Sequence, residues 1–535
     1  MYGLIFLDAL ASLLDIAALV TLLFIINFYT QPLTNVHLSF LPDYFLDRGS
    51  LLLIAVFLIV FCIKNIFAYA VQRAQYKFVY AVASRLSETK LLQYLEGSYA
   101  GYVSVDSSVQ IRKISQQPIE FSQHVLAGIQ QIFTQSFLIL VTVIAILLFD
   151  AKLFLFVLLL LVPPVIVVAI LIKKRTRSAR AHVKKSGEKT LQHIKEALAG
   201  YVESNIYDKR SFFTQRYMHY QQQLNKHLSG LQVVQGLPGR VMEVFAVLGF
   251  FVLLLISKWS GGAVDVLTIG MFMAAAYKIM PGLVKILNSS GQVHTFDYTI
   301  QDLLSKEPAA SSEKRADKQV SIRSVEFSNI SFSYEQQKIF SGFSYALQEG
   351  DFAGISAISG KGKTTLANIL LGFVKPAEGA ISINGTTVAS DSLRQYWPDI
   401  SYVQQEPFLI NDSILTNITL DEKEHDPGKL TSVIKATGLG ELIGHHPEGI
   451  NKYITENGRD ISGGQRQRIV MARALYKDAG LIILDEPFNE LDSASEHSLL
   501  QQFKELAGQG KIIILITHNK ESLSFCNKII ALDEA

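Results

Sequence analysis

A chain of 535 residues is too long for one hydrophobic core, and 49% apolar with only 18% charged residues is unlike a soluble protein. A net charge of +2 gives no argument for nucleic-acid binding, and the two cysteines, Cys62 and Cys526, sit in no metal-type spacing and offer no disulfide framework. The average hides two unlike halves: residues 1–290 hold long apolar runs, whereas residues 320–535 have the mixed composition of a soluble domain.

In chain order, the first apolar run spans residues 4–28. It starts almost without a basic flank and shows no small-residue cleavage site, which favours a retained span over a signal peptide. Further spans are expected at 51–70, 133–149, 153–172, 241–257 and 265–287, six in all. Pro163-Pro164 should bend the fourth, and Lys278, Pro281 and Lys285 interrupt the sixth. The excursions 73–130 and 173–238 are basic at their membrane ends, through Arg73, Lys77 and Arg85 and through Lys173, Lys174, Arg175, Arg177 and Arg180. The positive-inside rule therefore puts both excursions, both termini and the soluble half in the cytoplasm. Residues 74–96 and 177–200 read as helices continuing out of the membrane, turning back near Gly97–Tyr102 and Ile206–Phe212. Such tips are well placed to touch a cytoplasmic domain.

Asp15, Lys64, Glu243, Lys278 and Lys285 fall at membrane depth, where a charge must face a cavity or a partner. Two readings stand. Lys64, Lys278 and Lys285 line a basic cavity for an anionic substrate, or the charges are structural, with Asp15 paired to a lysine or the long side chains snorkelling to the interface. The transmembrane domain is taken as 1–300, a polar linker as 301–319 and a soluble domain as 320–535, where apolar alternation begins with Ile322, Val325 and Phe327.

The soluble half carries the chemistry. A largely apolar strand leads into Ser359-Gly360-Lys361-Gly362-Lys363-Thr364-Thr365, and a helix-forming run follows. Backbone N–H groups around Gly360 and Gly362 suit phosphates, Lys363 suits the β- and γ-phosphates of ATP, and Thr364 suits Mg²⁺. Ala357 stands where this phosphate-loop pattern has its first glycine. About a hundred residues on, the buried-strand pattern Leu481–Leu484 ends in Asp485 and Glu486. Asp485 suits Mg²⁺, and Glu486 is placed to orient or deprotonate an attacking water. The strand Ile512–Ile516 leads to His518, a candidate sensor of the γ-phosphate.

Together with Ser462-Gly463-Gly464-Gln465, these motifs resemble the ATP-binding-cassette exporters. The resemblance covers the whole chain. It implies a six-helix transmembrane domain with long cytoplasmic extensions fused to an α/β P-loop nucleotide-binding domain, a half-transporter that hydrolyses ATP with Mg²⁺. It implies a homodimer, with a heterodimer left open, in which Ser462–Gln465 contact the γ-phosphate held by the opposite subunit. Tyr334 matches the aromatic that stacks on adenine, Gln405 the glutamine that links Mg²⁺ to the membrane domain, and His518 the switch histidine. Asn489-Glu490-Leu491-Asp492 matches a loop usually written Ser-Ala-Leu-Asp, with its first two residues changed. Thr455–Gly458 resembles a segment that exporters place near their membrane-domain tips. The basic amphipathic helix that usually precedes the first span has no counterpart after Met1, and the cassette stops early, at Ala535.

For cargo the membrane half says less. Ser107–Ile114 with Glu120-Phe121, and Leu237–Glu243, resemble bacterial lipid-linked oligosaccharide flippases, and Val36–Asp47 is long enough for their short external helix. This implies an anionic polyprenyl-diphosphate oligosaccharide moved outward across a bacterial inner membrane. Alternatives are another glycolipid, a lipid A-like lipid, a peptide or a hydrophobic drug. From another class, an ATP-gated or regulatory module with little hydrolysis remains open.

Overall fold

The computed structural model describes residues 2–30, 51–149, 151–259, 266–304, 321–334, 337–356, 362–421 and 424–532. The expectations for Val36–Asp47, for most of the linker, and for Ala357, Ser359 and Gly360 lie outside the described residues. The chain divides into two compact units, Met1–Glu96 with Val103–Glu307, and Gly97–Tyr102 with Pro308–Ala535.

The first unit is helical. Its long helices are α1 (Tyr2–Thr30), α2 (Leu52–Leu95), α3 (Ala127–Phe149), α4 (Ala151–Ala199), α5 (Arg210–Trp259) and α6 (Val266–Phe296). Among the described residues, four stretches are long and apolar enough to cross a membrane: Gly3–Leu22, Leu52–Leu95, Ser107–Leu147 and Arg210–Val252. The expected spans at 153–172 and 265–287 lie on α4 and α6, outside these four, although α4 carries the shorter apolar stretch Val162–Ile172. α4 runs unbroken through Pro163 and Pro164, α5 through Pro238 and α6 through Pro281. Neighbouring helices and local adjustment supply partners for the freed carbonyls, so proline is tolerated in such helices. α4 packs chiefly on α5, and α6 on α3.

Asp15 ties three of these helices together. From α1 its carboxylate accepts hydrogen bonds from Lys64 on α2 and, at 3.0 Å, from Lys278 on α6. Lys64 is only 9% exposed, so an opposite charge is required there. A second knot lies in the segment after residue 106, where helix Ser107–Ile111 passes into π-helical turns at Arg112–Gln116 and Phe121–Leu126. Arg112 is buried there and donates to Tyr298, at 2.7 Å, and to Glu120 and Glu188.

The second unit is α/β. Strands β1 (Ser324–Tyr334), β2 (Gln337–Gln348), β4 (Glu378–Ile383) and β5 (Thr386–Val388) make an antiparallel sheet of order β2-β1-β4-β5. Strands β3 (Phe352–Ser356), β6 (Ile400–Val403), β7 (Leu481–Asp485), β8 (Ile512–Ile516) and β9 (Lys528–Ala531) make a parallel sheet of order β6-β7-β8-β3-β9. The central strands β7 and β8 are apolar up to Asp485 at the end of β7 because both faces are covered. Leu481, Ile483, Ile512, Ile514 and Ile516 pack in one core with the antiparallel sheet. Ile482, Leu484, Ile513 and Leu515 face a second core built on helices. Each such side chain is worth about 1.5–3 kcal/mol of burial. Gly97–Tyr102 is a turn only at its start, since a short helix runs from Tyr99 to Ser104. Within the second unit the Tyr99 ring stacks on Phe373 with centroids 4.5 Å apart, and Arg394 donates to the Gly97 carbonyl at 2.7 Å.

Removing Asp15 leaves two lysines without their shared counter-charge, and breaking a buried pair costs about 3–5 kcal/mol. Asp15→Ala is expected to lower the melting temperature of the detergent-solubilised protein clearly, whereas Lys285→Ala should barely move it. Equal melting temperatures for the two variants would show that the bridge contributes nothing.

Candidate nucleotide site

The parallel sheet sets the site. Ile516 is level with Ile355 on one side and with Asp485 on the other, so β3, β7 and β8 end together. The carboxyl ends of parallel strands are where such sheets bind ligands. Beyond β3, helix α7 (Lys363–Leu370) starts from Gly362, whose φ is +89°. A Cβ there would also come within 2.4 Å of Ile339, so glycine is required both by backbone conformation and by space.

β7 delivers two carboxylates in different directions. Asp485 is buried and accepts from the Thr364 hydroxyl at 3.0 Å and from the Tyr402 hydroxyl at 3.4 Å. Glu486 has a φ of +46°, unusual for a residue with a side chain, and its N–H donates to the Ile516 carbonyl at 2.9 Å. Its carboxylate accepts from Lys363 at 3.1 Å, Gln405 at 3.1 Å and Asn489 at 3.0 Å, and His518 Nδ1 lies 3.6 Å away. Burial pushes the Asp485 carboxyl above its usual range, the Thr364 hydrogen bond opposes this, and the Glu486 charge adds to it. Burial also acts to raise Glu486, but the Asn489 hydrogen bond and the Lys363 ammonium outweigh it and hold Glu486 below its usual value. Two adjacent carboxylates with proton affinities pushed apart are suited to different tasks. Burial keeps the Tyr402 hydroxyl protonated, and so a donor.

The donor set fits magnesium and a triphosphate. The Thr364 hydroxyl and the Asp485 carboxylate are hard oxygen ligands in contact with each other, and the Lys363 ammonium, 9% exposed, is held in an ion pair with Glu486. Thr365, one residue on, is buried in α7. Tyr334 ends β1 half-exposed, its ring set edge-on to Phe332 with centroids 4.8 Å apart.

Ser462–Gln465 form a second cluster. Ser462 caps helix α8 (Gly463–Lys477) by accepting from the Gln465 N–H, and the Gln465 side chain accepts from the Ser462 N–H at 3.0 Å. With Glu490 and Asp492 these residues line a separate cavity of about 480 Å³. Asp492 caps helix Ser493–Gly508 through the Ser495 N–H at 2.9 Å. Arg473 of α8 donates to the carbonyls of Asn417 at 2.8 Å and Phe408 at 3.0 Å, fastening the loop that carries Gln405.

Of the membrane lysines, Lys278 and Lys285 line a polar cavity of about 460 Å³ in the first unit, together with Gln72, Gln75, Gln130, Gln131 and Gln135. Lys64 instead ends an apolar groove of about 370 Å³ between α1 and α2, with its ammonium turned to Asp15. Sequence reasoning missed Tyr402, Asn489, Glu490 and Arg466 as site residues. A tyrosine in β6, Ile400-Ser401-Tyr402-Val403, is the one signal that pointed to the first, and the changed loop residues pointed to the next two.

Residues 340–489 match the family model described as "ABC transporter", and residues 120–279 match that described as "ABC transporter transmembrane region". A "Probable ABC transporter ATP-binding/permease protein" of Haemophilus influenzae is 30% identical over 234 residues, 44% of this chain and 42% of that protein. An "ATP-dependent lipid A-core flippase" of Cupriavidus pinatubonensis is 29% identical over 352 residues, 64% of this chain and 59% of that protein. A flippase of the same name from Burkholderia pseudomallei is 28% identical over 353 residues, 64% of this chain and 58% of that protein. The alignments therefore span between two fifths and three fifths of the relatives' length. In fold, a structure described as that of a bacterial Atm1-family ABC exporter with ATP bound superposes with a TM-score of 0.81 at 19% identity, covering 98% of this chain and 92% of that one. Residues 120–279 are thus an ABC transporter transmembrane region and residues 340–489 an ABC transporter ATP-binding domain, and the chain has the ABC-exporter fold. These likenesses reach the ABC-exporter fold and do not single out the oligosaccharide-flippase branch expected from the sequence.

A phosphate at Lys363 would gain a charge-assisted hydrogen bond worth about 1.5–3 kcal/mol, which Lys363→Ala would remove. Equilibrium binding of a fluorescent ATP analogue is expected to weaken at least about tenfold. Unchanged binding would remove Lys363 from the nucleotide site.

Proposed function

We propose that this chain is one half of an ATP-hydrolysing exporter that moves an amphiphile with a polar, anionic headgroup from the inner to the outer side of a membrane. The carrying observation is the Lys363–Glu486 ion pair beside the Thr364–Asp485 hydrogen bond. A terminal phosphate that takes Lys363 frees one oxygen of Glu486, while Gln405 and Asn489 still hold the other. A carboxylate held ionised in this way accepts a proton from the attacking water. Thr364 and Asp485, with Gln405 nearby, would hold magnesium, which would neutralise charge on the phosphates. His518 stands beside Glu486, where it meets the same phosphate, and the exposed Tyr334 ring offers its face to adenine.

Two copies act together, each presenting Ser462–Gln465 to the nucleotide of the other. All six long helices cross the membrane, the cassette is cytoplasmic, and the setting is a bacterial inner membrane. The headgroup sits in the polar cavity of Lys278 and Lys285, where the glutamine amides suit hydroxyl and amide groups. A lipid A-like amphiphile is the better supported cargo, because the flippase relatives that align over 64% of the chain carry that name. A lipid-linked oligosaccharide is the second reading, carried by the likeness of Ser107–Ile114, Glu120-Phe121 and Leu237–Glu243.

The test is reconstitution in proteoliposomes, with ATP turnover and transbilayer movement of both lipid classes recorded together. Wild-type protein is expected to move lipid A-type amphiphile in an ATP-dependent way. Glu486→Gln should lower turnover at least about a hundredfold, the scale of lost general-base catalysis, and abolish movement. Movement of the oligosaccharide lipid alone would reverse the order of the two cargoes. Absence of ATP turnover in wild type would sink the exporter reading.

A further inference from the structure

The loop between β7 and helix Ser493–Gly508 carries a carboxylate where the family has a small residue. Glu490 reaches back to the start of α8: its Oε2 lies 1.3 Å from where a Cβ on Gly463 would stand. A carboxylate oxygen therefore fills the space of the missing side chain. The Glu490 backbone carbonyl likewise lies 2.8 Å from a Cβ built on Gly464. The position is fixed from two sides, since Arg466 Nη2 lies 3.3 Å from the same Oε2 and the Glu490 N–H donates to the Gln467 side chain at 3.2 Å. α8 is a 15-residue helix whose first N–H groups carry the positive end of the helix dipole. Glu490 lines the cavity at that end, and Arg468, the other cation there, lies 3.6 Å from Asp492.

We infer that Glu490 is a built-in competitor for the anion that the start of α8 receives, and so a positioning residue for nucleotide. This rests on the proposed function, in which Ser462–Gln465 meet the terminal phosphate held by the second copy. An incoming triphosphate finds a carboxylate of like charge against Gly463 and must displace it. Arg466, on the same helix, is the partner that keeps the displaced carboxylate close. The pair raises the ATP concentration at which two cassettes engage, without entering the hydrolysis step at Glu486.

The test uses full-length protein in proteoliposomes, with wild type, Glu490→Gln and Glu490→Ala compared. Both variants are expected to lower the ATP concentration for half-maximal turnover roughly three- to tenfold, the scale of one charge at a helix end. The maximal rate should stay within about twofold. The gap from wild type should shrink at high salt, as a charge effect on a half-exposed group must. In a Glu486→Gln background, MgATP-driven cross-linking of the two cassettes should shift to lower ATP by the same factor. Equal midpoints in all three proteins overturn the inference and leave the exporter reading standing. So does a shift in Glu490→Ala alone, which would be a matter of bulk, not charge. If wild type shows neither turnover nor ATP-driven cross-linking, the exporter reading falls and this inference falls with it.

Discussion

A lysine ammonium that is 9% exposed cannot stand alone, and the second unit is organised by how Lys363 meets that constraint. Its counter-charge, Glu486, comes from the end of a different strand, 123 residues along the chain. The meeting depends on β3, β7 and β8 ending level, and that in turn on the parallel sheet being buried on both faces. The left-handed turn at Glu486 parts the two carboxylates, sending Asp485 to Thr364 and Glu486 to Lys363. Strain at that residue persists because the core around it is over-determined. Under the proposed function a phosphate takes Glu486's place at Lys363, so the charge that stabilises this pair becomes the charge that is released.

Much of this was legible in the residues, for a definite reason. Phosphate and magnesium chemistry demands particular side chains at fixed offsets from strand ends, and β7 and β8 announce themselves as apolar runs of four and five. Lys363, Thr364, Asp485, Glu486 and His518 follow from that pattern, Gln405 follows only from the family resemblance, and the structure brings all six together. What was not legible is lateral. Tyr402 lies on β6, a neighbour in space, and only the sheet order puts its hydroxyl near Asp485. Asn489 and Glu490 read as departures from a family pattern, and only the backbone path shows one turned to Glu486 and the other to Gly463.

In the membrane half, sequence left two readings of the buried charges, and geometry divides them by residue. Lys64 and Lys278 share one carboxylate, and Asp15 is therefore a structural joint between α1, α2 and α6. Lys278 also borders the polar cavity, whereas Lys64 borders an apolar groove. Hydropathy sees all three lysines as the same interruption of an apolar run. It also has no means of pairing an aspartate with a lysine 263 residues away.

That division bears on the cargo. Counting Asp8, Asp15, Lys278 and Lys285 on the cavity wall gives two negative and two positive groups, to which Lys64 adds one positive through its bridge to Asp15. A site with so small an excess of positive charge, in surroundings where charge is costly, does not discriminate by charge alone. Recognition passes to hydrogen bonding, and the five glutamines are suited to it, since each amide both donates and accepts. Buried polar groups left unpaired are penalised more than missing apolar contacts, so such a wall selects against amphiphiles with bare headgroups. Under the proposed function, such a wall favours a headgroup whose anionic groups are accompanied by many hydroxyls or amides. Both saccharide-bearing lipids proposed above combine the two, and a simple hydrophobic drug does not.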